Sequence, residues 1–185
     1  ATLSLAAPLH SLAVPLFPPA AMVKMTEINP KVTVVKLISA IGSPEKRKDV
    51  QDIVKMFKKY TKDIHVYGDD IIGAGKLFYA SKSQKPYTWF QCGVAPRTSN
   101  ISIYLGMSPL SSAAVKKVGP KCTHGVGCLY VKSLADVNMK MLEQLVKKAF
   151  SVKEFIAPGA KVSKDTKPST KSVAKTVLKR PAKKA

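Results

Sequence analysis

Gly93-Val94-Ala95-Pro96-Arg97 runs through Thr98-Ser99-Asn100 into Ile101-Ser102-Ile103-Tyr104-Leu105, and Cys128-Leu129-Tyr130-Val131 follows beyond a glycine-rich joint. Apolar residues in these stretches alternate with small or polar ones, or form unbroken runs no longer than a strand, and turn formers bound each run. Phe78, Trp89 and Gln91 lie in further runs of this kind, divided by Lys85-Pro86. Connections this short join antiparallel neighbours, so the middle of the chain is expected to be an antiparallel meander.

Outward from the strands the period lengthens to that of a helix. Ser43-Pro44-Glu45 supplies an N-cap, a proline at the first helical position and an acid in the first turn. Val50, Ile53, Val54, Phe57 and Tyr60 then form one apolar stripe, with Lys48, Lys55, Lys58, Lys59 and Lys62 on the other side. Beyond the strands, Leu142, Leu145, Val146 and Ala149 mark a last helix from Asn138 to Phe150, with Lys147 and Lys148 suiting its C-terminal dipole. A shorter helix is expected from Pro109 to Val118, capped by Ser108 and stopped by Gly119. Helix, strands, helix is an α+β order, expected to form two layers in which the N- and C-terminal helices cover one face of the sheet.

Composition bounds the partners. The 185 residues carry 31 Lys+Arg against 11 Asp+Glu, a formal net charge of +20, with 45% hydrophobic residues and only 7% aromatic ones. That permits one packed, mainly aliphatic domain plus extensions, and it excludes a collagen, a disulfide-stapled miniprotein and a helical membrane span. So large an excess of one sign is tolerable when a polyanion neutralises it. The three cysteines are odd in number and sparse, which points to reduced thiols and an intracellular or organellar setting.

Charge divides the chain into three parts. Residues 1–32 form a Pro-rich arm whose first 26 residues contain no acid and only one base, Lys24. Acid-poor but lacking arginine, this arm fits the mature end of an imported organellar protein, with mitochondrion preferred to chloroplast; it fits equally well sequence upstream of a start at Met22 or Met25. Residues 33–157 hold 20 bases, 9 acids and nearly all the hydrophobic periodicity, and read as the folded domain. Residues 158–185 carry nine bases and one acid, with small or polar residues between, and read as a basic tail unable to repay its own ordering entropy.

Several strings now stand in order: Tyr67-Gly68-Asp69 with Ile71-Ile72-Gly73-Ala74-Gly75, Gly93 to Arg97, Ile101 to Leu105, and Gly125-Val126-Gly127-Cys128-Leu129-Tyr130-Val131-Lys132 before Leu134-Ala135-Asp136-Val137. Over roughly residues 35–150 the chain resembles the YdhG-like family of small bacterial domains. The resemblance implies a frataxin-like two-layer α/β shape, and because some members have been proposed as iron chaperones it implies metal delivery as a function. The chain departs from the family at Val126, where a lysine is usual, and in its two extensions; Pro120, Cys122 and His124 also read as local substitutions.

Chemistry-bearing residues are weighed one set at a time. Iron delivery needs clustered oxygen ligands, whereas Glu45, Asp49 and Asp52 lie among lysines. Asp69 and Asp70 are adjacent, and read as turn residues whose carboxylates cap backbone N–H groups. Cys92, Cys122, His124 and Cys128 would make a Cys3His set, but the spacing suits buried thiols and an incidental histidine better than a zinc knuckle. No Gly-x-Ser-x-Gly frame and no dinucleotide fingerprint occurs, so neither catalysis, nor a cofactor, nor a small-molecule substrate is expected.

The basic surface remains. Lys55, Lys58, Lys59 and Lys62 on the first helix, Arg97 in a loop, and Lys116, Lys117 and Lys121 about the short helix are candidate RNA-binding residues. In the tail the candidates are Lys161, Lys164, Lys167, Lys171, Lys175, Lys179, Arg180, Lys183 and Lys184. Lysine outnumbers arginine 28 to 3, which suits phosphate contact better than bidentate base reading. The expected function is a non-catalytic RNA-binding structural component of a large ribonucleoprotein, foremost an organellar ribosome, with rRNA and neighbouring proteins as partners and no membrane. The alternatives are the iron chaperone of the resemblance and a DNA-compacting protein, because the Lys/Ala/Pro/Val tail is also similar to that of a linker histone.

Overall fold

Ser43 caps its helix as its position in the sequence requires: the Oγ accepts from Lys46 N at 3.2 Å and Pro44 opens the first turn. The computed structural model describes residues 27–82, 86–106, 110–125, 127–157, 159–160 and 162. Its helices are α1 (Val34–Ser39), α2 (Pro44–Lys58), α3 (Ser112–Val118) and α4 (Met139–Ser151), the last capped by Asn138. α1 is an addition to the expected elements; Thr33 caps it by accepting from Lys36 N. The cap of α3 is Ser111, which accepts from Ala114 N at 3.2 Å, and not the expected Ser108, which lies outside the described residues. Among the described residues no helix is long and apolar enough to cross a membrane.

The strands are β1 (Ile64–Tyr67), β2 (Ile71–Ala74), β3 (Leu77–Ala80), β4 (Tyr87–Trp89), β5 (Cys92–Pro96), β6 (Ile101–Tyr104), β7 (Thr123–His124), β8 (Cys128–Val131) and β9 (Glu154–Ile156). Six of them form a sheet in the order β1-β2-β5-β6-β8-β7, antiparallel throughout. Beyond its β1 edge, Asn29 N donates to Val66 O and Gly68 N to Glu27 O, so residues 27–29, read from sequence as arm, pair with the domain. Alternation sends Ile72, Ala74, Cys92, Val94, Ile101, Ile103, Leu129 and Val131 to one face, where they form a continuous core with Val50, Ile53, Val54 and Phe57 of α2 and Leu142, Val146 and Phe150 of α4. Ile38 of α1 and Val115 and Val118 of α3 join this core, so all four helices lie on that face. Phe57, Ile53 and Leu142 are fully buried, each stabilising the fold by about 1.5–3 kcal/mol over an exposed position.

The expectation of one antiparallel meander needs correction. Between β2 and β5 the chain forms the hairpin β3-β4, and β9 adds to β3 in parallel, making a second sheet ordered β4-β3-β9. The hairpin leaves the main sheet at Gly75, whose φ of +74° suits glycine, and returns at Gln91. Gln91 is 2% exposed, and its Nε2 donates to Phe150 O at 2.9 Å and Val152 O at 2.6 Å, satisfying carbonyls at the end of α4. The chain thus reaches β9 held against the root of the hairpin. The whole is an α+β fold with a mostly antiparallel sheet.

On the face away from the helices a smaller cluster joins Tyr67, Ile71, Phe90, Ala95 and Tyr104. Gly73 and Gly93 are register partners, and the Phe90 ring lies over both: a Cβ on Gly73 would stand 2.5 Å from Phe90 Cδ1.

Candidate nucleic-acid interface

Burial of the apolar stripe of α2 fixes where its lysines go. With Val50, Ile53, Val54 and Phe57 in the core, Lys48, Lys55, Lys58 and Lys59 are left on the solvent side, and Lys62 follows just past the helix. α4 repeats the arrangement: Leu142, Val146 and Ala149 are buried, while Lys140, Lys147 and Lys148 are exposed. The two helices are neighbours. Lys59 Nζ lies 2.7 Å from Glu143 Oε1, and the Tyr60 ring stacks on Phe150 at 5.2 Å with an 18° interplanar angle. Lys116 and Lys117 of α3 are exposed on the same layer.

Most acids of this layer are already engaged with lysines, while Glu45 accepts from Ser43 Oγ at the start of α2. Asp52 pairs with Lys48 at 3.1 Å, Glu143 with Lys59, and Asp136 with Lys121 at 3.0 Å. Asp49 is buried and accepts from Leu134 N at 2.9 Å, tying α2 to the approach of α4. The hydrogen bond from Lys59 holds the Glu143 carboxyl below its usual range, and the same bond raises the Lys59 ammonium. Lys55, Lys58, Lys62, Lys116, Lys117, Lys140, Lys147 and Lys148 have no described carboxylate within 4 Å. With Lys36 of α1 they are unpaired, exposed cations of the helix layer among the described residues.

The structure therefore gathers part of the expected set and disperses the rest. Lys55, Lys58, Lys62, Lys116 and Lys117 share the layer and are unpaired, while Lys59 and Lys121 share it in ion pairs. Arg97 does not join them. One residue past β5 it falls on the opposite face, where its guanidinium pairs with Asp70 and donates to Tyr104 Oη at 3.1 Å. Asp70 thus holds a side chain across two turns, where a local backbone cap was expected. Lys161, Lys164, Lys167, Lys171, Lys175, Lys179, Arg180, Lys183 and Lys184 lie outside the described residues. Lys140, Lys147 and Lys148 lie on the same layer outside the expected set, where the sequence reads Lys147 and Lys148 only as suiting the helix dipole; their helical spacing opposite Leu142 and Val146 is the sequence signal for their exposure.

No protein-family model, curated protein or solved structure matches this chain.

Other chemistry finds little geometry here. Cys92 is buried on the helix-covered face with its Sγ toward Val146 O, whereas Cys128 lies at the margin of the opposite cluster, so the Cys3His residues do not converge. Burial raises all three thiols above their ordinary range, which disfavours the thiolate a metal or electrophile requires. Among the described residues no three His, Cys, Asp or Glu side chains are grouped to hold a metal ion. His124 Nε2 is 3.1 Å from Ser112 Oγ and its Nδ1 is 3.1 Å from Gly125 O, which joins α3 to the β7–β8 hairpin.

Proposed function

We propose that this protein is a non-catalytic RNA-binding component of a large ribonucleoprotein, gripping rRNA through its phosphates. One observation carries the reading: lysines without carboxylate partners, from three helices, share the solvent side of a single layer on which Asp52, Asp136 and Glu143 are already paired with other lysines. Such a surface neutralises phosphates and releases their counterions without reading bases. The nine bases of residues 158–185 add to the same attraction. The particle in view is the organellar ribosome favoured by the sequence, mitochondrial before chloroplast.

We also infer a frataxin-like, YdhG-like domain. Its support is that the resemblance strings fall on successive strands, β5, β6 and β8, of a helix-covered antiparallel sheet. Iron delivery is the weaker reading, because the described carboxylates are scattered, and Asp52, Asp63, Asp136 and Glu143 are each held by a lysine.

Density-gradient sedimentation of native extract at low and high salt tests the proposal, with full-length protein and a form lacking residues 158–185. Co-migration with a ribosomal particle, weakened by salt and by loss of the tail, is the expected result. A full-length chain that stays at the top of the low-salt gradient overturns it.

A further inference from the structure

The hairpin β3-β4 and strand β9 put a row of rings where the expected fold has none. Strand alternation and register place Tyr79, Tyr87 and Trp89 on one face of the small sheet, with Phe155 opposite Tyr79. The Tyr79 ring is stacked on Phe155 at 5.5 Å and 15°, and lies 5.0 Å from Tyr87. On the central strand Leu77, Phe78 and Ala80 are buried, whereas Tyr79 keeps solvent contact, as do Tyr87 and Phe155; Trp89, the register partner of Leu77, is half-buried with its ring 4.4 Å from Phe90 of the smaller cluster. In a chain that is only 7% aromatic and has one tryptophan, this concentrates scarce, half-buried rings on a single face.

The charge around the row chooses its occupant. Lys153 precedes β9 at the register position of the ring face, Lys82 follows β3, and both are exposed. The one acid of β9, Glu154, alternates to the other face. The basic stretch 158–185 continues the chain directly from β9. Rings flanked by cations and continued by a basic segment match unpaired nucleotides, whose bases stack on aromatic faces while their phosphates meet lysines. A duplex offers no free base faces.

We propose that Tyr79, Tyr87 and Phe155 form a stacking platform for an unpaired stretch of RNA, with Trp89 at its margin, separate from the phosphate-binding helix layer. This rests on the RNA-binding reading above and specifies the strandedness of part of the ligand.

Trp89, the sole tryptophan, lies two residues from Tyr87 on the same strand face and reports on the platform from its margin. Full-length protein is titrated at low salt with a short oligouridylate and with an RNA duplex of equal phosphate content, following Trp89 fluorescence and, separately, binding by anisotropy. The oligouridylate is expected to quench Trp89 and the duplex to bind without quenching. Tyr79→Leu should weaken oligouridylate binding by about fivefold or more, the loss of one base stack, and leave duplex binding unchanged; Tyr79→Phe should behave as wild type. Wild-type protein that binds both RNAs with Trp89 unperturbed overturns the platform and leaves the phosphate surface standing. Failure to bind either RNA overturns both. The wild-type fluorescence result decides the matter even if Tyr79→Leu does not fold.

Discussion

Gln91 is the residue on which the two sheets meet, and its role follows from hydrogen-bond accounting. A buried primary amide that donates to Phe150 O and Val152 O closes the end of α4 where the helix has run out of its own donors. Gln91→Leu keeps most of the volume but leaves two carbonyls without a partner, so a loss of about 1–3 kcal/mol is expected in the denaturant midpoint. Gln91→Glu should cost more as pH rises through the carboxyl's titration, because the ionised group opposes two carbonyl dipoles. Equal stability of Gln91→Leu and wild type would show the bonds to be dispensable. Gly73 acts by close approach instead: its added Cβ would meet the rings of Phe90 and Tyr67, and Gly73→Ala should destabilise by about 1–3 kcal/mol through overpacking.

If the helix layer binds RNA as proposed, its paired and unpaired charges set the affinity. Each of Lys55, Lys58 and Lys62 that meets a duplex phosphate contributes about 0.9 to the slope of log affinity against log salt, so replacing all three by Gln should flatten that slope measurably and weaken every RNA alike. Glu143 acts in the opposite sense. It sits among Lys59, Lys140 and Lys147 and occupies the Lys59 ammonium, so Glu143→Gln should bind RNA more tightly than wild type. Acid should do the same. The Glu143 carboxyl titrates below its usual range, so the bridge persists through that range and is lost only as pH falls further, through the lowered value, freeing Lys59. Weaker RNA binding by Glu143→Gln would sink this account.

Legibility in the sequence also divides at the element scale. α2 and α4 could be read because their caps and apolar stripes are local, as could β5, β6 and β8 from period and joints. The small sheet could not, since β9 finds β3 by a parallel, long-range pairing that no local period encodes. The same limit misplaced Arg97 with the helix lysines. Membership of a loop says nothing of the face on which it opens until the alternation Cys92, Val94, Pro96 is anchored to the core.

At the scale of the whole molecule a net charge of +20 works against folding and for binding at once. Like charges repel within the folded chain, and added salt screens them over about 10 Å at 0.1 M. Salt alone should therefore raise the thermal midpoint of the free protein. RNA should raise it as well, because a ligand present at about a hundred times its Kd adds about 2.7 kcal/mol, which in a chain of this length is a shift of about 5–10 °C. The RNA increment has the opposite salt dependence, shrinking as salt weakens phosphate contacts. Differential scanning over a salt series, with and without RNA, should give midpoints that rise in one set and converge on it from above in the other. A free-protein midpoint that falls with salt would mean that its ion pairs outweigh its self-repulsion. An RNA increment that persists at high salt would mean that stacking, not lysine and phosphate, dominates the complex.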